Sequence, residues 1–220
     1  MENDKPKGAI LQRDKKTYAI VPRTPAGILN TEILDKISSV VKKYDIPVVK
    51  ITSGQRIALV GLEKDQIDSA WNDLQIDHGE AEALCLHYVQ ACPGNSLCKF
   101  GVDDSLGLGT EIEEMYLGLN FPAKVKFGVS GCPFCCAESY LRDVGLFAKK
   151  SGWTLVVGGN AGGHPRIGDV IATGLSRDDA IELSKKFLKY YKENARKKER
   201  TCRFVDRVGI DAVKDVLGLN

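Results

Sequence analysis

Apolar residues along the chain recur with two different periods, and the changes between them mark out its elements. Over residues 9–21, AILQRDKKTYAIV, two short apolar runs flank a charged centre and predict two brief strands joined by a polar turn. The next stretch, RTPAGILNTEILDKISSVVKKYD, carries Ile28, Ile33, Leu34, Ile37, Val40 and Val41 at helical spacing, with Asn30 or Thr31 as the N-cap. IPVVKITSGQRIALVGL gives two β-branched runs broken at Ser53 and Gly54, which reads as a pair of strands with a turn or sharp bend between them. EKDQIDSAWNDL closes the region near Leu74 as a second helix. This mixture of strands and helices predicts a first domain over residues 1–76, a small α+β unit of ferredoxin-like type.

A second domain, residues 77–220, follows a different text. A helix is predicted around Leu84 to Tyr88, then the loop QACPGNSLCKFGVDDSLGLG, dense in glycine and polar turn formers, then a helix through TEIEEMYLGL. AKVKFGVSGC reads as a strand running into a cysteine-bearing turn, and AESYLRDVGLF as a short helix after it. TLVVGGN is a strand entering the loop GGNAGGHPRIGD, and the chain closes with the helix SRDDAIELSKKFLKYYKENARKKER and a short helical tail.

Composition narrows the class. A content of 43% hydrophobic and 27% charged residues is that of an ordinary soluble protein, which excludes a fibre or a disordered chain. MENDKPKGAI lacks the apolar core of a secretion signal, and no run approaches the ~20 apolar residues of a membrane span. A cytoplasmic location is therefore expected, where thiols stay reduced. The net charge of +2 gives no reason to expect a nucleic-acid partner.

Against that background the cysteines stand out. Five of the seven fall in two turns, Cys92 and Cys98 in one and Cys132, Cys135 and Cys136 in the other. Thiolates converging from two loops suit either tetrahedral zinc or an iron–sulfur cluster, and the gap from Cys92 to Cys98 is wide for a zinc knuckle. Cys135 and Cys136 lie three and four residues past Cys132, so spacing alone leaves them equally placed. Pro93 and Pro133 stiffen both turns. Cys85 and Cys202 stand alone, at positions read as helical, as packed or exposed thiols.

ACPGNSLCKFGVDDS, KVKFGVSGCPFCCAESYLRDVGLFAKKSGWTLVVGGNAGGHPR and VVKITSGQRIALVGL together resemble the siroheme-dependent sulfite and nitrite reductases, over nearly the whole chain. The resemblance implies a ferredoxin-like half-domain packed on an α+β siroheme and 4Fe–4S domain. It implies a 4Fe–4S cluster on Cys92, Cys98, Cys132 and Cys136, with Cys136 also bridging to the siroheme iron and Cys135 left without a role. Arg56, Lys124 and Lys126 match basic positions directed at siroheme or substrate, and Lys99 is a weaker match. Siroheme carries many carboxylates, so Arg166 and the loop residues Gly158, Gly159 and Asn160 become candidates to cradle it, with Gly162 and Gly163 beside them. His164 gains no role.

The expected activity is six-electron reduction of a small anion, sulfite to sulfide, with nitrite to ammonia as the alternative. A non-catalytic siroheme carrier and a zinc-binding module are the competing classes. Relatives of nitrite-reductase type often carry arginine before the first cluster cysteine, where this chain reads Gln90-Ala91-Cys92. One copy of the module is present where larger members have two, so either a homo-oligomer or a compact monomer is expected. No Gly-x-Gly-x-x-Gly follows a predicted strand, so electrons are expected from a separate donor of ferredoxin or flavodoxin type. The basic helix KKFLKYYKENARKKER either steers that acidic donor or is simply a solvated face.

Overall fold

A computed structural model describes residues 6–78 and 84–219. The chain divides into two compact units with the boundary between Ala83 and Leu84. In the first, strands β1 (Ala9–Leu11), β2 (Tyr18–Ile20), β3 (Val48–Ile51) and β4 (Ile57–Leu62) form an antiparallel sheet in the order β1-β2-β4-β3. The polar turn between β1 and β2 closes on Asp14, whose carboxylate accepts from the backbone N–H groups of Lys16 and Thr17 and from the Thr17 hydroxyl. Helix α1 (Thr31–Lys43) starts where Asn30 accepts from the Ile33 N–H at 2.9 Å, which decides the N-cap in favour of Asn30. Its apolar stripe, Ile37 and Val40, packs with α2 (Ile67–Leu74) over Ile20, Leu59 and Leu62 to make the unit's core.

The second unit is a five-stranded sheet in the order β5 (Leu86–Ala91), β6 (Val125–Ser130), β7 (Val144–Lys149), β8 (Gly152–Val157) and β9 (Asp169–Leu175). The first three strands run parallel and the last two antiparallel. Helix α3 (Ser105–Met115) packs on β5 and β6, while α4 (Arg177–Asn194) and α5 (Thr201–Val208) pack on β8 and α6 (Ile210–Leu217) on α4 and α5. Phe127, Phe147, Trp153, Phe187, Tyr191 and Phe204 are fully buried and fill the core. Both units are thus α+β, as the pattern of the sequence predicts.

Several local expectations are corrected. The segment read as a helix at Leu84 to Tyr88 is the start of β5, and Cys85 therefore lies beside a strand, bridging to Asn120. A run this short fits either period, and pairing with β6 settles it as a strand. AESYLRDVGLF holds only one 3-10 turn, Ser139–Leu141, before it enters β7. The helix after the first cysteine loop begins earlier than expected, at Ser105, because Asp104 caps it by accepting from the Gly107 N–H at 2.8 Å. Strand β9, absent from the sequence reading, pairs with β8. The long C-terminal helix stops at Asn194, and the chain turns there before α5.

That turn is pinned by charge. The Glu199 carboxylate accepts two hydrogen bonds from the Arg207 guanidinium at 2.8 Å each and one from the Arg196 N–H. The Arg207 bond above all holds its pKa down at about 2. A carboxylate whose folded-state pKa is depressed contributes stability above its unfolded value near 4.5 and loses it as pH falls towards 2. Urea unfolding at stepped pH should therefore show Glu199→Gln less stable than the parent at pH 6, with the gap closing as pH falls below 4; a gap independent of pH would refute this role.

Candidate functional site

Because β5 and β6 are adjacent and parallel, with Ala91 opposite Val129, both chains leave the sheet at the same edge. Cys92 follows β5 directly and Cys132 lies two residues beyond β6. The Cys92 N–H donates to the Val129 carbonyl, and its sulfur accepts from the Gly131 N–H at 3.1 Å. Ser105, fully buried at the start of α3, donates to the Cys92 carbonyl at 2.8 Å, and its Oγ lies 3.2 Å from the Cys92 sulfur. The two loops interlock without side chains. A Cβ on Gly131 would stand 2.7 Å from the Gly94 Cα and 2.8 Å from the Asp103 carbonyl oxygen, so only glycine fits. The Gly131 carbonyl in turn accepts from the N–H groups of Val102 and Asp103.

The five thiols of these loops differ in environment. Cys132 is buried, Cys92, Cys98 and Cys135 are half-buried, and Cys136 is exposed. Cys135 adopts a left-handed backbone, with φ of 52°, at the centre of the turn. Burial, together with the neighbouring thiols of Cys132, Cys136 and Cys92, pushes the Cys135 thiol up to about 11. Among the described residues, no group of three or more His, Cys, Asp or Glu side chains surrounds a single-ion site. Tetrahedral zinc needs four such ligands within ~2.3 Å of one ion, whereas a cubane spreads its cysteines around a larger body.

A cationic patch lies on one face of the same strands. Lys126 on β6 sits over the ring of Tyr88 on β5, and Arg142 approaches the same ring, each 5.6 Å from its centre. The Lys126 ammonium is half-buried, and its pKa is lowered by burial first and then by the charges of Arg200, Arg142 and Lys124, with Asp143 opposing. Asp143 is completely buried. It accepts from the Lys126 N–H at 2.9 Å, from Arg200 Nη2 at 2.6 Å and Nε at 3.1 Å, and from the Thr201 hydroxyl. Cations thus outnumber the buried carboxylate that faces them.

The structure brings the glycine loop to this site. The Gly158 N–H donates to the Asp143 carbonyl, the Gly168 N–H to the Tyr140 carbonyl, and a Cβ on Gly159 would collide with the backbone of Tyr140 and Arg142. Asn160 and Arg166 exchange both backbone hydrogen bonds across the loop, and the Asn160 side chain donates to the His164 carbonyl. The Arg166 guanidinium is engaged by Asp206 at 2.7 Å and Asp169 at 2.6 Å, so it braces the loop onto α5. Lys99 is exposed on the first cysteine loop, its ammonium 4.8 Å from the Phe100 ring centre, and Phe100 meets Phe134 of the second loop edge to face. Arg56 belongs to the first unit: it is buried at the turn before β4, where its N–H donates to the Thr52 hydroxyl.

Sequence reasoning missed Arg142, Asp143, Ser105 and Arg200. The only signal for Arg142 and Asp143 was an adjacent charged pair inside an otherwise apolar run, LRDVGLF, where a solvated turn is the ordinary explanation.

With this geometry in view, comparison with known proteins defines the class. Residues 82–220 match the nitrite and sulphite reductase 4Fe–4S domain, and residues 10–75 match the nitrite/sulfite reductase ferredoxin-like half domain. The chain belongs to this family of oxidoreductases, whose cofactors are siroheme and a 4Fe–4S cluster. Within the family it is 60% identical, over 98% of its own length and 100% of the other's, to the assimilatory-type sulfite reductase of Nitratidesulfovibrio vulgaris. It is also 43% identical to the NAD(P)H nitrite reductase of Bacillus subtilis, covering 95% of this chain but 26% of that much longer protein. Dissimilatory sulfite reductase I shares its fold with a TM-score of 0.81 at 16% identity, over 93% of this chain and 69% of that one. The Mycobacterium tuberculosis NirA protein does so with a TM-score of 0.79 at 18% identity, over 91% and 39%. No helix among the described residues is long and apolar enough to cross a membrane.

The interlock predicts a cost for filling it. Gly131→Ala should destabilise the protein by about 1–3 kcal/mol, the usual penalty of overpacking, because the atoms in the way are backbone. Urea unfolding of the Gly131→Ala and parent proteins measures it, and equal midpoints would show that the loops are not locked together there.

Proposed function

We propose that this protein is an assimilatory-type sulfite reductase, taking sulfite to sulfide with six electrons from an external protein. The observation that carries the reading is the pair of cysteine loops held side by side at one sheet edge, next to a face where half-buried Lys126 and Arg200 and buried Arg142 gather round the buried carboxylate of Asp143. In this reading Cys92, Cys98, Cys132 and Cys136 hold the 4Fe–4S cluster, and Cys136, the exposed thiol, reaches the siroheme. The donor set fits such a group, because cysteine thiolates are its ordinary ligands and N–H···S bonds such as that from Gly131 stabilise them. The bound cofactors supply the electron relay and the open iron coordination that amino-acid side chains lack. Cys135 stays outside the ligand set.

The chain's own residues supply binding and protons. Reducing bisulfite to hydrosulfide consumes six electrons and six protons and releases three waters, so a cation that can give up a proton is useful next to the anion. Lys126 meets that need: burial and its cationic neighbours weaken its hold on a proton, and an arriving anion restores it. Lys124 joins Lys126 in the proposed anion-binding set, and Arg56 of the first unit keeps the siroheme- or substrate-directed role that the family resemblance implies. Lys99, Gly158, Gly159 and Asn160 are assigned to the siroheme rim, the glycines allowing close approach of a macrocycle. Arg166 is assigned the indirect part of shaping that loop, since Asp206 and Asp169 already occupy its guanidinium. Nitrite is the second substrate to test, because a nitrite reductase is among the close relatives.

For the donor we propose an acidic protein of ferredoxin or flavodoxin type. Lys185, Lys186, Lys189 and Lys192 of α4 line a groove with Tyr116 and Phe121, and they outnumber its two carboxylates, Glu182 and Glu193, so its net charge is one that attracts such a donor. Reversing Lys185, Lys189 and Lys192 to Glu should raise the KM for reduced ferredoxin at least several-fold and leave turnover with a small-molecule reductant unchanged; an unaltered KM moves the docking site elsewhere.

The ligand assignment is tested on anaerobically purified protein. The parent should show siroheme and iron–sulfur absorption and form sulfide from sulfite, and colourless protein containing zinc would overturn the proposal. Cys136→Ser should lose the coupled chromophore and Cys135→Ser should keep it; equal loss in both would reject the choice between these neighbours.

A further inference from the structure

Arg142 has no part in the assignments above, yet it ties the end of β5, which leads into the first cysteine loop, to the segment that follows the second. Its side chain is 7% exposed, and Nη2 donates both to Gln90 Oε1 at 2.5 Å and to Glu138 Oε2 at 2.6 Å. Gln90 stands two residues before Cys92 and Glu138 two residues after Cys136. Two residues of chain span at most about 7 Å, so each anchor lies within one short reach of a thiol. The stem of Arg142 passes over Gly128 of β6, where a Cβ would stand 2.5 Å from the Ala137 carbonyl oxygen and 2.8 Å from the Arg142 Cγ, so the glycine leaves room for both. Its Nε is buried with no hydrogen-bond partner. Burying a guanidinium is costly, and one half-exposed carboxylate does not fully repay it. A chain that needed only a tie between two loops could have used an uncharged group there.

We propose that Arg142 is a positioning residue for the cluster: through Gln90 at the end of β5 and Glu138 after the second cysteine loop it ties together the segments that lead into and out of the two loops, and its buried positive charge raises the reduction potential of the cluster they hold. The inference rests on the cluster assignment proposed above. Reduction adds negative charge to a body already ringed by thiolates, and a fixed cation in low-dielectric surroundings favours the reduced form. Glu138 opposes it, but its side chain is 50% exposed and solvent screens it more. The same geometry gives Gln90 a purpose. Near the end of β5 it is a neutral amide that accepts from a cation supplied by the segment after the second cysteine loop.

Opposite-signed shifts separate this role from simple bracing. The parent holoprotein, its cluster first verified by the EPR signal of the reduced state, is titrated potentiometrically beside Arg142→Gln, Glu138→Gln and the double variant. Arg142→Gln should move the cluster midpoint to more negative potential, Glu138→Gln should move it by a smaller step to more positive potential, and the double variant should fall between them. Shifts of the same sign in both single variants, or none in either, overturn the proposal, because a loosened cage has no reason to distinguish the two charges. Where Arg142→Gln fails to load a cluster, Glu138→Gln decides alone: a positive shift supports the inference, and a null or negative one overturns it. A parent protein without iron or a reduced-cluster signal would instead remove the assignment underneath, and the inference with it.

Discussion

Parallel pairing of β5 with β6 is the constraint from which the site follows. Antiparallel neighbours would send their loops to opposite ends of the sheet, but these two deliver Cys92 and Cys132 to one edge in matched register. The loops are then held by backbone: Gly131 donates to the Cys92 sulfur and accepts from Val102 and Asp103, and its missing side chain admits Gly94. The strand after the second loop, β7, continues the parallel set and carries Asp143 to its base. Ligand loops at the carboxyl ends of parallel strands are a recurrent solution in α/β sheets. Here the last two strands run antiparallel and complete the sheet without adding thiols.

Electrostatics organises the face beside those loops. Asp143 is wholly buried and its carboxylate receives Arg200, Thr201 and the Lys126 backbone, which ties β6, β7 and α5 together. Lys126 lies half-buried beside it, and Arg142 is paired with the half-exposed Glu138. A surface of that kind stores a preference for anions in its fold. Burial above all, and then the neighbouring cations, lower the pKa of Lys126 there.

The sequence made some of this legible and hid the rest for identifiable reasons. The N-terminal elements were readable because their periods are clean and their caps local: Asn30 for α1, the charged turn at Asp14 between β1 and β2. The two cysteine turns were readable because glycine, proline and cysteine together leave few other roles. Strand β5 was misread because a short apolar run fits both periods until a partner strand is known. Arg142 was invisible for a different reason. Its meaning lies in contacts to residues 52 positions upstream and four positions back, and no local pattern announces a buried guanidinium.

The hydrogen bond from Gly131 to the Cys92 sulfur, with the glycine contact that accompanies it, is formed by protein atoms alone. Much of the entropy cost of ordering the two turns is therefore met in chain folding itself. The two turns are thus shaped by the fold itself, with Cys132 walled in and Cys136 facing water. Of the five thiols in these turns Cys136 is the most open to solvent, and so it is also the one most open to oxidation.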